Sequence, residues 1–85
     1  MNSSTTAEFR SCFRALPGAV QDTARTAFRL WQQDRRHPSL YFKRAGAYWS
    51  IRVGIHYRAL GRLHDGTLYW FWIGPHAEYD RLVRF

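Results

Sequence analysis

The chain has one cysteine, one methionine, one lysine and six acidic residues among its 85. A lone thiol, Cys12, makes no intrachain disulfide and leaves no cysteine cluster for a metal, which fits a reducing compartment. No apolar run approaches the ~20 residues of a membrane span. The opening Met1-Asn2-Ser3-Ser4-Thr5-Thr6 lacks the hydrophobic segment of a secretion signal, so a cytoplasmic protein is expected. Repeats, linkers and low-complexity tracts are missing too. One domain over residues 1–85 is therefore expected.

What is present is basic and aromatic. Thirteen Lys and Arg set against six acids give a net charge of +7, and twelve of the thirteen are arginine. Guanidinium binds phosphate in a planar, bidentate way and stacks on bases, whereas lysine acts as a point charge. Nucleic acid or an acidic protein is the expected partner. The plainer reading is a solvated basic surface. So short a chain buries only roughly 60–65% of its unfolded surface. Fifteen aromatic residues supply large buried areas that offset this.

Helices come first. Thr5 and Glu8 have capping-box spacing, and Phe9, Cys12, Phe13 and Leu16 recur on one helical face. Leu16-Pro17-Gly18 breaks that helix, and a second runs over about 18–34 with Val20, Ala24, Ala27, Phe28 and Trp31 on one side. Pro38 ends it. Leu40–Lys43 reads as a short edge strand, followed by strands over about 48–53, 57–64 and 67–73. The fold class is α+β, a helical hairpin packed on an antiparallel sheet of three or four strands.

Register decides which arginines share a face. A two-residue Asp65-Gly66 turn pairs His64 with Thr67, and by extension Arg58 with Ile73 and Ala59 with Trp72. Gly54-Ile55-His56 allows a two- or a three-residue loop. Only the three-residue loop turns Trp49, Ile51 and Val53 toward the helices, so burial favours it. Arg52 then lies opposite Arg58, with Arg62 and Tyr69 further along. Gly74-Pro75 stops the last strand and leaves His76 at the rim of that face. Histidine is the usual proton carrier near neutral pH, and cations beside it make a phosphodiester site.

The elements Leu16-Pro17, His37-Pro38-Ser39-Leu40, Ser50-Ile51-Arg52-Val53-Gly54, Tyr57-Arg58-Ala59-Leu60 and Trp72-Ile73-Gly74-Pro75-His76-Ala77-Glu78-Tyr79-Asp80 resemble the RelE/ParE superfamily of toxin–antitoxin toxins. The resemblance runs from about Thr5 to Val83. It implies a RelE-like fold with a short C-terminal helical turn, and a bacterial toxin blocked by an acidic antitoxin that wraps around it. Many members are ribosome-dependent endoribonucleases that cut mRNA and stop translation, leaving a 2′,3′-cyclic phosphate by internal transfer. The ParE branch instead poisons DNA gyrase, and a degenerate member would only bind its antitoxin.

On this resemblance, Arg58 matches the arginine that holds the scissile phosphate. His76 matches the histidine of a Gly-Thr-His-Ala-Asp motif in the YafQ-like branch, and here would act as the acid. Arg52 falls near a basic position that stabilises transition-state charge. The lysine pair of RelE itself is absent, with Lys43 and Arg44 the only substitutes, and His37 aligns loosely with an upstream histidine. Tyr79, one turn past His76, is expected to stack on a base, and Arg62 to add substrate contact. No cofactor, metal or membrane is implied. The plainer readings are a backbone-bonded His76, an Arg58 salt bridge to Glu78 or Asp80, and Tyr79 packed against Phe71.

Overall fold

Helix α1, Ala7–Arg14, starts one residue later than the capping-box spacing suggests, because Thr6 is the cap: its Oγ1 accepts from the Phe9 amide at 3.1 Å. After Pro17, α2 runs Gly18–Gln33 and buries Ala24, Ala27 and Trp31. A 3-10 turn, Pro38–Leu40, leads to the sheet strands β2 (Lys43–Ala45), β3 (Tyr48–Val53), β4 (Tyr57–His64) and β5 (Thr67–Pro75). Helix α3, His76–Leu82, closes the chain. The computed structural model describes residues 1–83. Arg84 and Phe85, the last two of the expected single domain, lie outside the described residues. Among the described residues, no helix is long and apolar enough to cross a membrane.

The α+β class holds: strands β2 to β5 form the expected antiparallel sheet. A fifth strand, β1 (Asn2–Thr5), pairs parallel to β5 and completes the order β1-β5-β4-β3-β2. Its polar Asn-Ser-Ser-Thr sequence carries no strand signal, and its place comes from main-chain pairing with β5, helped by Arg10 Nη1, which donates to the Thr5 carbonyl at 2.9 Å. The adjoining Thr6 amide donates to the Trp70 carbonyl at 3.0 Å. The short edge strand is Lys43–Ala45 rather than Leu40–Lys43, because the 3-10 turn occupies Leu40.

The two hairpins that share β4 have the expected turns. Asp65 and Gly66 sit at φ 49° and 79°, the doubly positive geometry that suits the twist of a two-residue hairpin. Val53 pairs with Tyr57 and Arg52 with Arg58, so the first loop has three residues. A bulge between Leu60 and Gly61 then shifts the rest of β4 against β5. Leu60 faces Trp72, Ala59 faces Ile73, and Arg58 faces Gly74. This corrects the expected Arg58–Ile73 and Ala59–Trp72 pairs. Trp72 and Ile73 exchange faces, because the extra residue reverses the alternation. β5 also runs on to Pro75, opposite Tyr57, where a proline at a strand's last position is tolerated.

The sheet is apolar on both sides. Under α1 and α2, Phe9, Ala24, Ala27 and Trp31 meet Ile51, Val53, Ala59, Leu68, Trp70 and Ile73. Trp70 lies at the centre, with Phe28 and Trp31 edge-on at 5.1 and 5.6 Å between ring centroids. Gly61 makes room for it: a Cβ there would stand 2.9 Å from the Trp70 ring. On the other face a smaller cluster of Ala45, Leu60 and Tyr79 packs with Tyr48, Phe71 and Trp72. α3 covers only part of that face, and the arginines occupy the remainder.

Candidate functional site

Arg52 and Arg58 are direct cross-strand partners. Like charges placed so disfavour the pair by roughly 0.2–1 kcal/mol unless an anion lies between them. Burial pushes the Arg58 guanidinium below its ordinary value and the Arg52 charge adds to this, while Tyr79 and Asp80 oppose it. Guanidinium stays charged at any working pH. Among the described residues neither arginine is ion-paired with a carboxylate, so the Arg58 salt bridge to Glu78 or Asp80 is not formed. Arg58 Nη1 donates to the Tyr57 carbonyl at 2.9 Å, and its guanidinium lies 5.9 Å from the Tyr79 ring centroid.

His76 is the first residue of α3. Its amide donates to the His56 carbonyl at 2.8 Å, so the β3–β4 loop fixes where the helix begins. The ring is half-exposed, and Nδ1 stands 3.0 Å from Asp80 Oδ2, one helical turn on. An ionised carboxylate only accepts, so the proton between them sits on Nδ1 and Nε2 is the nitrogen left for another group. Asp80 thus touches His76 and biases Arg58, which joins the imidazole and the guanidinium pair into one patch.

Tyr79 lies beneath this patch. It is 6% exposed and its hydroxyl donates to Ser50 Oγ at 3.3 Å, bridging α3 to β3. A ring so buried has no face for an RNA base, which corrects the expected stacking role. Across from Arg58, Gly74 keeps the surface low: a Cβ there would lie 2.5 Å from the Trp72 ring.

The remaining expected residues divide. Lys43 pairs with Ser50 and so lies on the sheet face of Arg52, and its Nζ lies 4.7 Å from the Tyr41 ring centroid. Arg62 is on the same face further along, over Phe71 at 5.0 Å and Tyr48 at 6.0 Å. Arg44 pairs with Trp49 and lies over that ring at 5.4 Å, on the helix-covered face. His37 Nδ1 accepts from the Ser39 amide at 3.2 Å and caps the 3-10 turn, away from His76. Two further residues belong to this surface. Asp80 carries an i, i+4 signal from His76 that sequence spacing alone offers. Tyr41 carries none, since its position depends on a left-handed backbone.

Guanidinium groups without a carboxylate partner among the described residues, beside an oriented imidazole, suit a phosphodiester: the cations hold the anion, and Nε2 moves a proton. Comparison with known proteins agrees in fold. The model of the ParE-like toxin domain matches residues 18–81. No curated protein matches the chain closely in sequence. The RelB–RelE antitoxin–toxin complex of Methanococcus jannaschii is similar at 18% identity and TM-score 0.68, over 91% of this chain and 95% of that one. YafQ of Escherichia coli BL21(DE3) is similar at 10% identity and TM-score 0.66, over 92% and 96%. A YoeB/ParE toxin of Agrobacterium tumefaciens is similar at 14% and 0.67, over 89% and 99%. Such low identities establish the fold, and the family model covers most of the chain. The protein belongs to the ParE-like toxin domain family.

Proposed function

We propose that this protein is the toxin of a bacterial toxin–antitoxin module, a single cytoplasmic domain over residues 1–85 that cuts mRNA on the ribosome. The observation that carries the reading is the Arg52–Arg58 pair, free of carboxylate partners among the described residues, beside a His76 ring held by Asp80. RNA supplies its own nucleophile. The 2′-oxygen loses its proton to water and bonds to the adjacent phosphorus as the P–O5′ bond breaks. Protonated Nε2 of His76 gives its proton to the departing 5′-oxygen. The products are a 2′,3′-cyclic phosphate and a 5′-hydroxyl, and no cofactor is called for. Arg58 and Arg52 hold the phosphoryl oxygens as charge builds on them, and each such group contributes about 10²–10³ in rate.

An acidic antitoxin that covers the Arg52/Arg58 face is the matching partner. Support comes from the charge of +7 and from relatives solved as antitoxin–toxin complexes. Its affinity falls as salt rises. The test gives purified protein to translating ribosomes with a defined mRNA. Fragments with cyclic-phosphate ends are the expected result. Intact mRNA with impaired supercoiling by gyrase would make it a gyrase poison instead. Intact mRNA with normal supercoiling would leave a chain that only binds its antitoxin.

A further inference from the structure

Tyr41 combines exposure, strain and charge. It is 54% exposed, and its backbone sits at φ 47°, a left-handed conformation that bulky residues rarely adopt. Strain of that kind costs of order 1–3 kcal/mol and persists where the surroundings over-determine it. Here it is imposed just after the 3-10 turn, as the chain swings from α2 into β2. The ring ends with Lys43 Nζ at 4.7 Å and the Arg52 guanidinium at 5.5 Å from its centroid. On its other side it lines a cleft with Arg35, Arg36 and His37. A continuous basic strip therefore runs from Arg58 through Arg52 to Tyr41 and into that cleft.

We propose that Tyr41 is the stacking platform for a base of single-stranded RNA, one that lies beside the nucleotide held at Arg52 and Arg58. This rests on the cleavage reading above and adds the substrate contact that buried Tyr79 does not provide. Non-specific recognition of single strands combines cationic grooves for phosphates with aromatic faces for bases, and both are present here. Phosphates draw Lys43 and Arg52 onto the strand, and the base takes the ring. An acidic protein segment would need the cations but not a strained, exposed aromatic among them.

The test measures binding of a short, 2′-O-methylated single-stranded RNA to the full chain by fluorescence anisotropy, so that cleavage does not enter. Glycine accepts φ 47° freely, so Tyr41→Gly should melt no lower than wild type, yet bind about 5- to 100-fold more weakly. Tyr41→Phe should bind like wild type, and Lys43→Ala should flatten the salt dependence. Unchanged affinity in Tyr41→Gly overturns the platform and leaves the cleavage reading standing. Wild-type protein that binds this RNA through Tyr41 but never cuts mRNA sinks cleavage alone. Wild-type protein that takes a glutamate-rich peptide and no RNA overturns the platform, while the ribosome assay decides cleavage separately.

Discussion

Asp80 holds the imidazole of His76 through Nδ1, at 3.0 Å across one turn of α3. The carboxylate fixes both ring orientation and the tautomer, so the nitrogen offered to substrate is Nε2. Asp80→Asn puts an amide of the same shape there, one that can donate as well as accept. We expect kcat for mRNA cleavage to fall roughly 10- to 100-fold with RNA affinity and melting temperature unchanged. A parallel loss of melting temperature would reduce Asp80 to a structural role.

Arg52 faces Arg58 across β3 and β4 with no compensating carboxylate among the described residues. Arg52→Ala relieves a repulsion of roughly 0.2–1 kcal/mol and loses a contact with the Tyr41 ring of about the same size. Stability measured by denaturant titration should therefore barely move, while cleavage falls about 10²- to 10³-fold. A clear drop in stability would mean that the arginine serves the fold.

Much of this arrangement is legible in the residues themselves, and the failures have specific causes. Asp65-Gly66 demands a doubly positive turn, and burial of Trp49, Ile51 and Val53 selects the three-residue loop; together they place Arg52 opposite Arg58. The bulge at Leu60/Gly61 is invisible because β5 there reads Trp-Phe-Trp-Ile, apolar on both sides, so alternation gives no warning of a slip. β1 escapes notice because main-chain pairing holds a wholly polar strand. Tyr79 could be placed on the right helix but not on its buried face, since α3 packs over Leu60 and Ser50 rather than standing free.

Tyr79 bridges α3 to β3 through the Ser50 hydroxyl, and both residues are buried. Tyr79→Phe keeps the ring beneath Arg58 but strips Ser50 of its partner. Unfolding free energy should drop by about 0.5–1.5 kcal/mol, with cleavage per folded molecule preserved. Loss of RNA affinity in this variant would restore a direct substrate role to the buried ring.

The most direct test is cleavage of a defined mRNA on translating ribosomes by wild type and His76→Ala, both checked for folding by circular dichroism. Wild type should yield fragments with cyclic-phosphate ends, and His76→Ala should yield none above background. A folded His76→Ala protein that cuts at the wild-type rate would contradict the assignment of proton transfer to this imidazole.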